Sequence, residues 1–348
     1  MEGASRRDGP ALIEPDLSLV SWQDADHLFD VIRASTVEVR QPLVLISQAQ
    51  RSGGTLTSTL LDGHPELHVH PYELLVGHPG KADWPSLNGR GDADDWVDLL
   101  REQFVRPLFL EGYRKKPDMR LIDDFPTLPF TVVPSFLDRL FRLLCADDAP
   151  RDQRQILDRY FTAFFNAWID CQGLRETPKR WVVAFGPRLA WGESRTRFLS
   201  DYPDGRIVSI HRDPRAWYAS ASRFSSRYGE FDEALALWRR GAEEAMAAKK
   251  ERPESVFVIT YEALVGNLEP TMRALSAWLG IEWDPLLLEP TFNRLPTVPN
   301  SSYRMLETGV RPESLDRWRE ALDAGVIARI EAEALELDAA VRSIADVA

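Results

Sequence analysis

An apolar run that leads through a glycine-containing loop into a helix is the strongest constraint in this sequence. Residues 43–46 read Leu-Val-Leu-Ile, which is typical of a parallel strand buried on both faces. Residues 47–54 are polar and end in two adjacent glycines. From Thr55 onwards, leucines recur on one face of a predicted helix that stops near Gly63. The pattern predicts a strand, a loop and a helix of the α/β fold class.

Such a unit favours an anion-binding site. Free backbone N–H groups converge at the start of a helix, and the helix dipole favours negative charge there. Glycines let the backbone approach a phosphate closely, and an arginine offers a planar fork of donors. The dipole contributes only about 0.3–1 kcal/mol, so side-chain donors are also required. The loop supplies Arg51, Ser52, Gly53, Gly54, Thr55 and Thr57.

One common phosphate-loop pattern is missing. An NTP-hydrolysing loop follows G-x-x-x-x-G-K-[ST], in which the lysine contacts the terminal phosphates and the hydroxyl binds Mg²⁺. No segment of this chain matches that pattern. We therefore expect a phosphate-like ligand without metal-assisted phosphoryl transfer, the alternative being a tight turn with no ligand.

A second unit of the same kind occurs at residues 206–222. The segment 206–211, Arg-Ile-Val-Ser-Ile-His, predicts a strand that runs into Arg212, and Asp213-Pro214 then suits the start of a helix. Ser220 follows about two turns into that helix. A cation at the strand end and a hydroxyl on the helix could clasp one phosphate from two sides. Arg212 could otherwise be an ordinary surface ion-pair partner.

Both units resemble motifs of sulfotransferases that use 3′-phosphoadenosine 5′-phosphosulfate (PAPS). The segments Gln50-Arg-Ser-Gly-Gly-Thr-Leu and Leu60-Leu-Asp-Gly-His-Pro-Glu-Leu resemble the family's first donor motif. Arg212 followed by Ser220 resembles its 3′-phosphate motif. Gly54 departs from the pattern, since relatives carry Ser or Thr there. The resemblance implies a P-loop-like sulfotransferase fold, PAPS as co-substrate, adenosine 3′,5′-bisphosphate (PAP) as product, and no metal.

The resemblance also implies the residues of the donor site. Segment 300–318 is similar to the one that closes over the nucleotide in this family, with Arg311 as its best cation and Arg304 as the second. Either arginine could instead be a surface charge. The predicted donor-binding residues are Arg51, Ser52, Gly53, Gly54, Thr55, Leu56, Arg212, Ser220 and Arg311. Tyr261-Glu-Ala-Leu resembles a further family segment, which we interpret as structural, with the tyrosine supporting the loops.

Transfer to an acceptor hydroxyl needs a base and a cation for the charge on the bridging oxygen. We predict Arg51 as the cation and Glu73 as the base, because Glu73 matches a glutamate after the first motif in several carbohydrate and protein-tyrosine sulfotransferases. His70 is the alternative base. Pro71 can open a helical turn, which would place Glu73 in its first turn, where a glutamate could merely favour the helix N-terminus.

Two further features bear on the site. Many relatives carry lysine-x-proline after the strand predicted at 179–185, where this chain has Phe185-Gly-Pro-Arg. Either Arg188 supplies the charge or the acceptor site differs. The histidines at 64, 68, 70 and 78 suggest a metal site, but their spacing matches no familiar zinc site, and we predict no metal.

The rest of the chain predicts a parallel sheet of four or five strands, because apolar segments 179–185, 206–211 and 255–260 alternate with helical patterns. We expect a mobile tail at 1–15 and a single domain at 16–348. Within that domain, a helical insertion at about 80–175 would form the acceptor side. The aromatic face of residues 156–169 is typical of core packing. No pattern predicts the oligomeric state.

Composition narrows the function further. The 348 residues carry 42 basic and 54 acidic side chains, a net charge of −12, which disfavours nucleic-acid binding. The two cysteines form no disulfide framework. No apolar run reaches the roughly 20 residues of a membrane span. Although Golgi relatives are membrane-anchored, we expect a soluble, cytoplasmic protein.

The predicted function is transfer of a sulfuryl group to a hydroxyl of a carbohydrate or glycolipid, with a phenol or other small metabolite as the next choice. Two alternatives remain at this point. One is a nucleotide kinase or NTPase with the same sheet, which the missing Gly-Lys-Ser/Thr disfavours. The other is a non-catalytic nucleotide-binding protein.

Overall fold

The computed structural model describes residues 22–77, 80, 82–87, 91–100, 130–176, 178–298 and 308–348. Contacts divide the chain into one unit of residues 1–36 and another of residues 37–348. In the first unit, the described residues form one helix, α1 (Trp22–Ala34). The second unit contains the sheet and both predicted motifs.

A parallel five-stranded sheet is the centre of the second unit. Its strands are β1 (Leu43–Ile46), β2 (Leu67–Glu73), β3 (Trp181–Phe185), β4 (Arg206–His211) and β5 (Val256–Thr260). Their order is β2-β3-β1-β4-β5, and all neighbours are parallel. The chain leaves β1 towards β2 and leaves β4 towards β5, so the loops after β1 and β4 diverge. In open α/β sheets, ligands bind in a crevice of this kind.

The helices flank this sheet. They are α2 (Gly54–Leu61), α3 (Ala93–Leu100), α4 (Pro134–Asp147), α5 (Gln153–Ala167), α6 (Gly192–Asp201), α7 (Pro214–Phe224), α8 (Phe231–Glu251), α9 (Tyr261–Gly266), α10 (Leu268–Leu279), α11 (Trp318–Ala321) and α12 (Ala324–Ile344). Short 3₁₀ helices cover Ser226–Tyr228, Pro285–Leu288 and Pro312–Ser314. Two-residue strands β6 (Thr291–Phe292) and β7 (Leu295–Pro296) form a small antiparallel pair.

Burial on both faces explains the unbroken apolar strands. Val44 and Ile46 belong to a core cluster that also contains leucines of α2 and α10. Leu43 and Leu45 alternate with them and are also fully buried, because successive side chains of a strand point to opposite faces. The parallel sheet and its flanking helices therefore agree with the predicted fold class.

The predicted strands agree with the structure to within two residues, but the segment around Pro71 does not. The sequence predicted a helical turn that begins there, whereas β2 continues through Glu73. Glu73 pairs with Phe185 after an irregularity in the register, and the N–H group of Leu74 donates to the Phe185 carbonyl at 2.6 Å. Pairing with β3 keeps this stretch extended, which a local helix signal could not reveal.

The helical block predicted at 80–175 contains α3, α4 and α5, and its residues 101–129 lie outside the described residues. The aromatic face of α5 is buried, as its spacing predicted: Tyr160, Phe161, Phe164 and Phe165 are each at most 1% exposed. No helix among the described residues combines the length and the apolarity that crossing a bilayer would require.

Candidate functional site

The loop between β1 and α2 presents the start of a helix at the carboxyl edge of the sheet. Gly53 precedes α2 with φ of 108°, a left-handed conformation that suits glycine. A Cβ added to Gly53 would lie 2.7 Å from the ring of Tyr261, so that ring lies directly against the loop. Gly53 has no side chain to cap the helix, and the first-turn N–H groups of α2 are suited to bind an anion.

Gly54, the departure from the family pattern, has a steric cause. A Cβ added to Gly54 would collide with Gln48 Nε2 and with the ring of Phe185. The structure therefore has no room for the Ser or Thr of relatives. Ser52 and Gly54 are buried, whereas Thr55 and Leu56 are half-buried.

Arg51 lies at the turn of the loop in a left-handed conformation, with φ of 71°. Its Nε donates to Ser220 Oγ at 3.4 Å, and its guanidinium lies 4.5 Å from the ring centroid of Phe224. Burial and the nearby charge of Arg212 lower the pKa of Arg51 to about 10. The side chain remains a cation at neutral pH, and an anionic ligand would relieve the repulsion.

Arg212 brings the second motif against the first. Its Nη1 donates to the Arg51 carbonyl at 2.8 Å, and its guanidinium lies 4.2 Å from the ring centroid of Tyr261. Arg212 is only 8% exposed, and its Nε has no hydrogen-bond partner. Among the described residues, no carboxylate forms an ion pair with it. A buried cation without a balancing charge is costly, and a bound phosphate would supply that charge.

The supporting residues hold these loops together. Trp217 Nε1 donates to the Gln50 carbonyl at 2.7 Å, and Trp238 Nε1 donates to the Arg212 carbonyl at 2.9 Å. Tyr261 contacts Gly53 and Arg212 and also lies 3.3 Å from Ser314 through its hydroxyl. This agrees with the structural role that the sequence predicted for Tyr261.

Glu73 lies at the same edge of the sheet, two strands from the phosphate loop. Phe185 of β3 is paired with Glu73 of β2 on one side and with Ile46 of β1 on the other. The ends of β2 and β1 are therefore about 10 Å apart, which is twice the spacing of neighbouring strands. Glu73 is half-buried. A carboxylate at this distance suits a base that acts on the far side of a ligand bound at the loop.

His70, the alternative base, has a different environment. Its side chain is completely buried, and its ring centroid lies 4.6 Å from that of Phe164. His68 points to the same face of β2 and packs against Phe165 at 5.1 Å. These contacts make both histidines part of the packing between the sheet and α5 and disfavour His70 as a base.

The predicted histidine cluster and the arginines of segment 300–318 are the remaining candidates. No group of three or more potential metal ligands occurs among the described residues; His78 lies outside them. Arg311 precedes the 3₁₀ helix Pro312–Ser314 and donates to the Thr308 carbonyl at 3.2 Å. Ser314 of that helix contacts Tyr261, which connects the segment to the phosphate loop. Arg304 also lies outside the described residues.

Arg188 contacts the phosphate loop. Its N–H group donates to the Gln48 carbonyl at 3.2 Å, and its guanidinium nitrogens lie 3.0 and 3.1 Å from the side-chain amide of Gln50. Phe185, which ends β3 in the segment where relatives carry lysine, is only 7% exposed. Arg188, three residues after the end of β3, therefore places a charge beside the phosphate loop.

Sequence reasoning missed a polar network behind Arg212. His211 Nε2 lies 2.8 Å from Asp338 Oδ1. The Arg342 guanidinium donates to Asp338 at 2.7 Å and to Glu262 at 2.9 Å, so it connects the two carboxylates. Glu262 in turn accepts from the Asp213 N–H group at 3.1 Å. Burial would raise the pKa of Asp338, but the bonds from His211 and Arg342 outweigh it and lower that pKa. Apart from Arg342 and Asp338, which lie one helical turn apart, the pairs are separated by 49 to 127 residues in sequence, so no local pattern could show them.

The fold and the site define an α/β protein with a phosphate-binding loop at the carboxyl edge of a parallel sheet. The sequence pattern of the sulfotransferase family matches residues 42–285. The chain belongs to that family.

Solved structures of sulfotransferases are similar to this chain, and the first of them shares its fold. The sulfotransferase domain of the Synechococcus PCC 7002 olefin synthase is 19% identical, with a TM-score of 0.53 over 85% of this chain and 95% of that chain. The sulfotransferase domain of the curacin biosynthetic pathway is 17% identical, with a TM-score of 0.47 over 85% and 98%. A sulfotransferase from Alicyclobacillus acidocaldarius is 20% identical, with a TM-score of 0.38 over 84% and 96%. None of the curated proteins compared with the chain matches it.

Proposed function

We propose that this sulfotransferase uses PAPS as its donor and transfers the sulfuryl group to an acceptor hydroxyl. The observation that carries the proposal is Arg212, a buried guanidinium that no described carboxylate balances. Arg51 contacts both motif residues, because its carbonyl accepts from Arg212 and its Nε donates to Ser220. A cation and a hydroxyl held together in this way suit the 3′-phosphate, which distinguishes PAPS from ATP.

The same geometry supports a division of roles along the donor. Arg212 and Ser220 would bind the 3′-phosphate, and the N–H groups at residues 52–56 would bind the 5′-phosphate. Arg51 lies between these two groups of donors and would stabilise the charge that develops on the bridging oxygen. Arg311 would add a cation from the segment that contacts Tyr261.

The proposed transfer is a single displacement. Glu73 would accept the proton of the acceptor hydroxyl as its oxygen forms a bond to sulfur. The bond between sulfur and the bridging oxygen breaks, and PAP leaves with both electrons of that bond. Glu73 is preferred over His70 because it lies at the open edge of the sheet, whereas the His70 side chain is completely buried.

The acceptor class is proposed as a hydroxyl compound, with a carbohydrate or glycolipid tested first and phenols second. The aromatic face of α5 does not support either choice, because its rings are packed in the core. Incubation with ³⁵S-labelled PAPS and a panel of both classes would identify the acceptor by the labelled product.

A thermal-shift comparison tests the donor. PAP should raise the melting temperature at concentrations where ATP with Mg²⁺ does not, because stabilisation follows the affinity of the ligand for the native state. Stabilisation by ATP with Mg²⁺ alone would favour the nucleotide kinase or NTPase. Stabilisation by PAP without transfer to any acceptor would favour a non-catalytic nucleotide-binding protein.

A further inference from the structure

A buried side-chain amide at the phosphate loop has an oxygen without a hydrogen-bond partner. Gln48 follows β1 by two residues and is only 3% exposed. Its Oε1 is buried without a hydrogen-bond partner among the described residues. Buried amides are usually paired, and leaving one unpaired destabilises the folded state. A methionine of similar volume would fill the same space without an unpaired polar atom. Packing alone therefore does not explain why position 48 is a glutamine.

The nitrogen end of this amide lies against the start of α2. A Cβ added to Gly54 would collide with Gln48 Nε2, which places Nε2 against the first residue of α2. The N–H groups of that helix start converge on a bound anion. The positive end of the amide therefore lies next to the helix start that is expected to bind the anion.

Strand order indicates which part of the donor would meet Gln48. The 3′-phosphate residues Arg212 and Ser220 belong to β4 and α7, on one side of β1. Gln48 lies beside Phe185 of β3, on the other side of β1, since one added Cβ would strike both. The sulfuryl group is the part of PAPS farthest along the 5′ chain from the 3′-phosphate. It would therefore lie towards β3 and Glu73.

We propose that the side-chain amide of Gln48 donates a hydrogen bond from Nε2 to the sulfuryl group of the donor. Gln48 thereby supplies a donor in place of the hydroxyl that Gly54 lacks, and Phe185 and Gly54 together leave the space that the amide occupies. The inference rests on the proposed use of PAPS.

Comparing PAPS with PAP tests this contact, because the two ligands differ by the sulfuryl group alone. In the full-length Gln48→Met variant, the Kd of PAPS should rise about fivefold to tenfold, the usual effect of one lost hydrogen bond, whereas the Kd of PAP should stay unchanged. The ligand-free variant should melt at the same or a higher temperature, since the unpaired oxygen is gone. A residue that only supports the loop would weaken both ligands and lower the melting temperature.

Two further variants complete the experiment. Gln48→Glu places a negative charge near the sulfuryl group, so it should weaken PAPS more than Gln48→Met does; it also carries the test if the methionine variant does not fold. Asn166→Leu is the matched control, because the Asn166 amide is buried but already bonds the carbonyls of Val37 and Thr162 at 2.8 Å. It should lower stability and leave the ratio of the two Kd values unchanged.

The outcomes separate this inference from the proposed function. Equal weakening of PAPS and PAP in the Gln48 variants, or no change in either, overturns the contact with the sulfuryl group. If the wild-type protein binds neither ligand, the use of PAPS itself is wrong.

Discussion

Arg212 and Arg195 are both buried arginines, but their charges are balanced differently. Arg195 forms ion pairs with Glu244 at 2.7 Å and with Glu251 at 3.3 Å. Arg212 contacts a carbonyl and an aromatic ring and forms no ion pair with any carboxylate in the described part of the chain. Because a charged hydrogen bond contributes about 1.5–3 kcal/mol, the difference between the two sites is measurable.

We expect Arg212→Gln to raise the Kd of PAP at least about tenfold, the fold-change of roughly 1.4 kcal/mol. Arg195→Gln should lower the melting temperature but leave the shift induced by PAP intact. Calorimetric titration of both variants with PAP measures the effect. Unchanged PAP binding in Arg212→Gln would remove the main support for the donor assignment.

Glu73 and Glu66 lie at opposite ends of β2 and offer a matched comparison. A positioned base contributes roughly 10²–10⁴-fold to the rate, so Glu73→Gln should reduce kcat by about that factor while PAP binding survives. Glu66 pairs with Arg180 and accepts from the Glu282 N–H group at 2.6 Å. Glu66→Gln should leave kcat close to the wild-type value. Near-normal turnover in Glu73→Gln would show that another group accepts the proton.

At the scale of elements, the carboxyl ends of the strands form the site, and α12 holds one of them in place. Asp338 of α12 contacts His211, the neighbour of Arg212. Arg342, one turn later in α12, donates to both Asp338 and Glu262. Glu262 in turn accepts from the Asp213 N–H group. The network therefore fixes the strand end and the helix start on either side of Arg212.

Asp338→Asn should loosen this support and raise the Kd of PAP several-fold, although Asp338 does not touch the proposed ligand position. Asp346 is the control, because it pairs with Lys249 at 2.8 Å and accepts from Val258 N, away from Arg212. Asp346→Asn should lower stability only. If both variants lose stability and neither loses PAP affinity, the network has no positioning role.

At the scale of the whole molecule, one buried carboxyl group should make the free energy of unfolding depend on pH. Burial raises the pKa of Asp158 from 3.8 to about 6, although Arg154 and the Tyr202 hydroxyl lower it in part. Between about pH 4 and 6 the native state then binds more protons than the unfolded state. The free energy of unfolding therefore falls as pH rises through this window. The loss of stability reaches its full value once the pH is above the pKa of Asp158 in the folded state.

Asp158→Asn should accordingly raise the free energy of unfolding at pH 7.5 by about 1–3 kcal/mol, with little gain at pH 4. Urea unfolding of both proteins at the two pH values provides the measurement. An equal difference at pH 4 and pH 7.5 would mean that the carboxyl group does not titrate in this range.

Local patterns in the sequence determined the strands, most helices and both motifs of the candidate site. Apolar runs such as 43–46 and 181–185 are decided by burial, and Gly53 by a backbone angle that other residues rarely adopt. These features depend on neighbours along the chain, so they can be predicted from it.

Only the tertiary structure decided the contacts between distant residues. Arg212 reaches the Arg51 carbonyl across 161 positions and His211 reaches Asp338 across 127, while pairing with β3 makes the segment before Glu73 extended. The unpaired Oε1 of Gln48 likewise depends on how the side chain of Gln48 packs between Gly54 and Phe185. Packing in three dimensions selects these pairs, and a one-dimensional pattern carries no record of which distant surfaces meet.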